Sequence, residues 1–140
     1  PVRLASTLGR ALPATCTATG KAILAELAPA ELDERLAKGR LPALTAHSIT
    51  SVVELRTALA DIRTVGHAVD REEVIEGVIC VAVAIPGPDA SDQWMAISAT
   101  LLAPSATDAL LDAIAAELHV VADTIALGLG RPVELERPTA

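Results

Sequence analysis

The chain has 140 residues, 51% of them hydrophobic, and a formal net charge of −7. This length fits one domain with a substantial apolar core. The negative charge argues against a surface that grips nucleic-acid phosphates, which needs a basic face. One Trp and no Phe or Tyr leave no stacking platforms for single strands. No apolar run approaches the ~20 residues of a membrane span, so we expect a cytoplasmic domain.

The chain opens with an ambiguous segment followed by a helix. Val2 and Leu4 alternate with Arg3, a pattern compatible with a short edge strand. A helix is predicted over residues 15–27. Gly20 within it costs about 1 kcal/mol relative to Ala. A glycine there indicates the close approach of another backbone or of a ligand.

Two more helices, three strands and a long last helix follow. The second helix, residues 29–38, has a proline in its first turn and Gly39 as its stop. The third covers residues 51–65, because Ser51 and Glu54 have capping-box spacing and Gly66 ends it. Strands are predicted over residues 68–70, 77–85 and 94–102, and a helix over 104–127 with Ser105 as its N-cap. This order predicts an α+β domain with a central antiparallel hairpin.

The two faces of this hairpin differ in side-chain size, because successive strand residues point to opposite sides. The bulky face holds Ile79, Val81, Val83, Ile85, Ile97, Ala99 and Leu101. The small, partly polar face holds Val78, Cys80, Ala82, Ala84, Ala96, Ser98 and Thr100. The last helix is expected to cover the bulky face with a stripe of Leu110, Leu111, Ile114, Leu118, Val121 and Ile125. The small face then leaves room for a ligand.

The segment ATGKA, residues 18–22, invites comparison with a phosphate-binding loop. It fails, because Thr15 and Ala22 stand where a Walker loop needs Gly and Ser or Thr. The first N–H groups of a helix nevertheless lack internal partners and carry partial positive charge. The amides of Ala18 and Thr19 are therefore candidates to hold a carboxylate. The alternative is an ordinary capped helix, which is the commoner case.

Two cysteines are too few for a disulfide framework or a Cys-based zinc site. Catalysis by Cys80 would need a base such as His67. A cysteine in mid-strand is more often a small buried hydrophobe. Ser98 lacks the G-x-S-x-G context of a serine hydrolase.

An acidic cluster follows the first predicted strand. The glutamates at positions 72, 73 and 76 are expected to form a solvated turn. Asp70 differs, because it ends a strand and is expected to point inward. No pair of histidines has the spacing of metal ligands, so no metal site is predicted.

Four segments together resemble one known family. They are TATGKAILAEL (17–27), LPALTAHSIT (41–50), LRTALADIRTVGHAVDREEVIEGVICVAVAI (55–85) and AISAT (96–100), before a long last helix. Their order and spacing are similar to those of the C-terminal effector-binding domain of isocitrate-lyase-regulator-type (IclR family) transcriptional regulators. The most specific segment is G-x-A-V-D-x-E-E followed by G-V-x-C-V-A, and the resemblance covers almost the whole chain.

The resemblance implies a GAF/PAS-like mixed sheet of about six strands, larger than is typical, flanked by helices. The first strands would lie outside this chain. It implies a domain that is not an enzyme, uses no cofactor and binds a small-molecule effector, often an organic acid. Homodimers or homotetramers are implied. Operator DNA would be bound only by a separate N-terminal winged helix-turn-helix domain, absent from this chain.

Family effector-binding positions carry over one at a time. The amides at the helix start match Ala18 and Thr19, and Ala18 is a mild departure because the family often has a small residue or Gly at the first. The remaining matches, two of them apolar wall positions, are Asp70, Cys80, Ser98, Thr100, Leu4 and Val78. Residues 101–104 depart from the Ser-Gly-Pro that is frequent in the family.

Asp70 poses an electrostatic question, because an ionised carboxylate would repel that of a ligand. In the favoured interpretation the ligand carboxylate sits at the helix start, and Asp70 accepts a hydrogen bond from a ligand hydroxyl or amine. The alternative is that Asp70 is protonated on burial.

Overall fold

The computed structural model describes residues 9–37, 40–85 and 95–130. These ranges contain four α-helices and three strands. They are α1 (Ala18–Glu26), α2 (Pro29–Leu36), α3 (Val52–Val65), β1 (Ala68–Arg71), β2 (Val78–Ile85), β3 (Met95–Leu102) and α4 (Asp108–Gly128). The predicted α+β class is confirmed. Predictions for Leu4, Gly39, Trp94 and residues 86–93 fall outside the described residues.

The three described strands form one antiparallel sheet in the order β1-β2-β3. Its register places Asp70 opposite Cys80 and Cys80 opposite Thr100. Ala82 likewise pairs with Ser98. The strand register alone therefore places four predicted site residues, Asp70, Cys80, Ser98 and Thr100, close together on neighbouring strands. The mixed sheet of about six strands remains an expectation from the resemblance.

Helix α4 covers the bulky face, as predicted, and together they bury one apolar cluster. The buried helix residues are Leu111, Ala115, Leu118, Ala122 and Ala126, and Ile114 and Ile125 of the predicted stripe pack against the same cluster. Leu110 and Val121 are instead 39% and 43% exposed. Alanine explains the difference, because its short side chain lets a helix backbone approach a sheet that already carries branched residues.

Helix α1 covers the opposite, small face. Ala18 and Ala22 pack on Ala68 and Ala82, and all four are almost fully buried. Helices α2 and α3 pack behind α1 around a leucine-rich cluster that includes Leu55 and Leu59. The sheet thus lies between α1 and α4, and the N-terminus of α1 opens beside its small face. Among the described helices, none combines the length and apolar character that crossing a membrane requires.

Helix ends follow local chemistry, with one correction. Ser51 caps α3, its hydroxyl accepting from the Glu54 N–H at 3.4 Å, and Gly66 ends that helix with φ 84°. The predicted cap of the last helix is wrong. Ser105 belongs to a short 3₁₀ turn, Ala103–Ser105, and Thr107 caps α4 by accepting from the Leu110 N–H at 3.3 Å.

Replacing Thr107 with alanine is expected to lower the free energy of unfolding by about 1 kcal/mol, because an N–H of the first turn loses its acceptor. Ser105→Ala is the matched control and should be close to neutral, since Ser105 lies in the 3₁₀ turn and the N-cap of α4 is Thr107. Urea denaturation of both variants measures the difference. A larger loss for Ser105→Ala would contradict the assignment.

Candidate ligand-binding site

A cavity of about 140 Å³ lies between the N-terminus of α1, the small face of the sheet and the turn of residues 72–77 that joins β1 to β2. Its lining residues are Leu12, Thr17, Ala18, Thr19, Asp70, Val74, Ile75, Val78, Cys80, Ser98 and Thr100. Seven of the eight positions named from sequence are among them. The eighth, Leu4, lies outside the described residues.

The start of α1 presents backbone donors to this cavity. Thr17 is the N-cap, and its hydroxyl accepts from the Gly20 N–H at 3.0 Å. Within the described ranges, the N–H groups of Ala18 and Thr19 have no hydrogen-bond acceptor. They carry the partial positive charge of a helix start. A carboxylate oxygen is the type of acceptor that fits there.

The sheet supplies a row of polar side chains opposite. Cys80 Sγ lies 3.2 Å from Thr100 Oγ1 across the β2–β3 pair. Ser98 lines the same cavity from the neighbouring position on that face of β3. These groups donate or accept hydrogen bonds without carrying charge. They therefore suit a ligand that has polar atoms beyond a carboxylate.

Asp70 is only 3% exposed, and one oxygen, Oδ1, accepts from the Glu73 N–H at 2.6 Å. Burial raises the pKa of Asp70 from 3.8 to about 6, and the charge of Glu73 adds to the rise. The N–H groups of Glu73 and Val74 and the charge of Lys21 oppose it. A carboxyl group with a pKa of about 6 is mostly ionised at neutral pH and becomes protonated as the pH falls through about 6. Asp70 can therefore accept a hydrogen bond from a ligand when it is ionised, or donate one when it is protonated.

A buried ion pair that the sequence analysis missed lies beside Asp70. Lys21 Nζ contacts the Glu73 carboxylate and also donates to the Val69 carbonyl at 2.8 Å. Lys21 and Glu73 are 3% and 5% exposed, so the prediction that Glu73 belongs to a solvated turn is wrong. A signal did exist. Lys21 shares the i, i+3, i+4, i+7 face of α1 with three buried alanines, and a charge on such a face needs a partner.

The turn of residues 72–77 is held from outside by the segment before α3. Thr45 Oγ1 donates to the Glu72 carbonyl, and Ser48 Oγ donates to the Glu73 carbonyl, both at 2.7 Å. These bonds fix the backbone that leads directly to Val74 and Ile75 in the cavity wall. The predicted loop of residues 41–50 thus has a positioning role that composition did not indicate.

The geometry does not support nucleophilic catalysis at Cys80. Burial raises the pKa of the thiol, the Asp70 charge adds to the rise, and the hydrogen bond with Thr100 opposes it. A raised thiol pKa disfavours the thiolate that acts as nucleophile. The candidate base, His67, instead has its Nε2 3.5 Å from Asp112 Oδ1 on α4. Within the described residues, no group of three His, Cys, Asp or Glu side chains could hold a metal ion.

Comparison with known proteins points in one direction. Residues 1–127 match a family model described as "Bacterial transcriptional regulator IclR C-terminal". The transcriptional regulator XynR of Escherichia coli K12 is 35% identical over 127 residues, which are 91% of this chain and 50% of XynR. The chain spans half or less of the curated relatives that it matches.

Solved structures agree with the sequence matches. The Thermotoga maritima IclR structure has a TM-score of 0.86 and 32% identity, covering 93% of this chain and 52% of that one. The inducer-binding domain of PobR from Acinetobacter was solved as a double mutant in complex with 3-hydroxybenzoic acid. It has a TM-score of 0.75 and 25% identity, covering 90% of this chain and 74% of that one.

Proposed function

Because the chain belongs to the C-terminal family of IclR-type bacterial transcriptional regulators, we propose that it is the ligand-sensing domain of such a regulator. A small organic acid binds in the cavity. Binding changes how a separate N-terminal winged helix-turn-helix domain holds operator DNA in the cytoplasm. For this the ligand must have different affinities for two arrangements of the regulator.

The main support for the proposal is that unpartnered N–H groups line one side of the cavity, while carboxyl and hydroxyl groups line the other side. The unpartnered amides of Ala18 and Thr19 lie on one side. The Asp70 carboxyl and the hydroxyls of Ser98 and Thr100 lie on the sheet side. A carboxylate at the helix start gains two donors and a favourable dipole. The ligand bound to the similar PobR domain, 3-hydroxybenzoic acid, combines a carboxyl and a hydroxyl group, which supports the same class here.

Cavity volume limits the size of the ligand. An apolar protein cavity of about 150 Å³ binds benzene. At about 140 Å³, the described part of this cavity suits a molecule of that size. Short-chain acids and small aromatic acids are therefore the compounds to test first.

Replacing Ser98 with alanine and Thr100 with valine in one variant is expected to abolish the thermal shift caused by the ligand. The change removes two hydroxyls from the cavity and nearly keeps the side-chain shapes. Thermal unfolding is measured with L-lactate, propionate, benzoate and a wider panel of organic acids. A chemically matched control, Ser105→Ala with Thr124→Val, makes the same changes outside the cavity lining.

The wild-type chain and the control variant should respond equally to the acid that gives the largest shift. If the cavity variant also keeps the full response, the assignment of this cavity is wrong. If no acid shifts the wild-type transition, sensing of organic acids itself is contradicted. A domain that only oligomerises and binds no ligand would then be the better proposal.

Oligomerisation is part of the proposal, as a homodimer or homotetramer. Support comes from α4, whose outer surface leaves Val120, Val121 and Leu127 exposed at 63%, 43% and 56%. Large apolar side chains exposed along one helix support a protein–protein contact at this surface. Light scattering with and without the stabilising acid measures the state and any change on binding.

A further inference from the structure

Three ionisable side chains form a buried cluster behind the cavity. Lys21, Asp70 and Glu73 are each at most 5% exposed. Lys21 contacts the Glu73 carboxylate, and the Glu73 N–H donates to Asp70. With all three groups ionised, one ammonium faces two carboxylates. The cluster then carries an uncompensated negative charge inside the protein.

Two further observations indicate that no cation among the described residues balances this charge. The Glu73 oxygen Oε2 is buried and has no hydrogen-bond partner among the described residues. The described lining of the cavity contains no Lys, Arg or His. Positive potential at the cavity comes from the start of α1, which is equivalent to about half a charge. That is less than the charge of one bound carboxylate.

A ligand carboxylate therefore enters a site that already has an excess of negative charge. Of the cluster, Asp70 is the member that lines the cavity. Two carboxylates inside one cavity of about 140 Å³ repel each other, and uptake of one proton by Asp70 removes the repulsion. The protonated carboxyl group then also becomes a hydrogen-bond donor.

We propose that this domain binds its anionic effector together with one proton, which Asp70 takes up from solvent. The added proton balances the added ligand charge, and the Asp70 hydroxyl donates to the bound acid. The inference rests on the proposed function, because it concerns the same cavity. It makes occupancy depend on pH as well as on ligand concentration.

The groups that face Asp70 are consistent with this role. Lys21 faces it from α1, Glu73 from the turn, and Cys80 from the paired strand β2. Burial raises the pKa of the Cys80 thiol, so the thiol stays neutral and does not compete for the charge. In the empty protein the pKa of Asp70 is already about 6, and a neighbouring anion raises it further.

The sign of the pH dependence follows from linkage. Below about pH 6, Asp70 is already protonated in the empty protein, so affinity varies little with pH. Above that pH, each binding event takes up a proton. Affinity should then fall by up to about tenfold for each pH unit, until the pKa in the complex is passed.

The test is isothermal titration calorimetry of the chain with L-lactate, propionate and benzoate between about pH 5.5 and pH 8, where each acid stays ionised. Affinity is expected to fall as pH rises, with about one proton taken up per ligand at the steepest point. Asp70→Asn should remove the pH dependence, whatever affinity it retains. Glu73→Gln should move the midpoint to lower pH, because a neighbouring negative charge is lost while Lys21 remains.

The possible outcomes distinguish the proposal of proton uptake from the proposal of ligand sensing. Binding with a flat profile, or affinity that rises with pH, overturns proton uptake and leaves ligand sensing intact. A rise with pH would instead indicate an ionised Asp70 that accepts from a ligand hydroxyl or ammonium. An Asp70→Asn variant that keeps the slope also overturns the inference. If neither these three acids nor any acid of the wider panel binds, the proposed class of effector fails, and this inference fails with it.

Discussion

Replacing Lys21 with methionine is expected to destabilise the domain by about 3–5 kcal/mol, the usual cost of removing one partner from a buried ion pair. Methionine keeps the length and apolar stem of lysine but leaves the Glu73 carboxylate buried without its cation. One oxygen of that carboxylate already has no partner among the described residues. The free energy of unfolding from urea denaturation measures the loss.

Two controls show whether the loss comes from the broken pair. The double variant Lys21→Met with Glu73→Leu should recover most of the stability, because a buried pair can be replaced by apolar groups at little cost. Arg35→Met breaks the exposed pair with Glu31 on α2 and should change stability by no more than about 0.5 kcal/mol. Equal effects of Lys21→Met and Arg35→Met would contradict the importance of burial.

Gly20→Ala is expected to cost about 3 kcal/mol, although alanine is the better helix former. An added Cβ would overlap the Cα and carbonyl oxygen of Ala14 and lie 2.6 Å from Thr17 Oγ1. Main-chain atoms cannot rotate away as a flexible side chain can, so the segment before α1 must move. That segment includes the N-cap Thr17, so the donors at the helix start should be displaced as well.

Gly128→Ala provides the matched comparison, because Gly128 also lies in a helix and an added Cβ there meets nothing within 4 Å. It should be neutral or stabilise the domain by up to about 1 kcal/mol, through helix propensity alone. Thermal and urea denaturation of both variants measure the contrast. Equal stability of the two variants would show that the backbone at Ala14 yields easily.

The close approach at Gly20 illustrates what sequence could predict. A glycine inside an otherwise sound helix indicated close contact with a backbone or a ligand, and the structure identifies the backbone of Ala14. The bounds of α3 were predictable for a similar reason, because Ser51 and Gly66 act on their own neighbours. The N-cap of α4 could not be predicted in this way, because Ser105 and Thr107 are both good caps and the 3₁₀ turn at Pro104 decides between them.

The cavity was partly predictable because strand alternation places Cys80, Ser98 and Thr100 on one face, and antiparallel register brings them together. The donors at the start of α1 and an inward-pointing Asp70 were also predicted from local chemistry, and the family resemblance assigned them to the same site. The Lys21–Glu73 pair was not predicted because its partners are 52 positions apart, and no local pattern specifies which glutamate turns inward. The contacts of Thr45 and Ser48 escaped for the same reason.

The bonds from Thr45 and Ser48 have a mechanical consequence. The segment that carries these residues is also tied to the residue just before the Thr17 cap, because Cys16 Sγ donates to the Pro42 carbonyl at 3.3 Å. On the other side, Lys21 and Glu73 join the helix to the turn directly. The start of α1 and the turn of residues 72–77, which form two walls of the cavity, therefore belong to one closed ring of covalent bonds and non-covalent contacts. Moving the start of α1 away from this turn would break one of these links, so the fold fixes the distance between these two walls of the cavity.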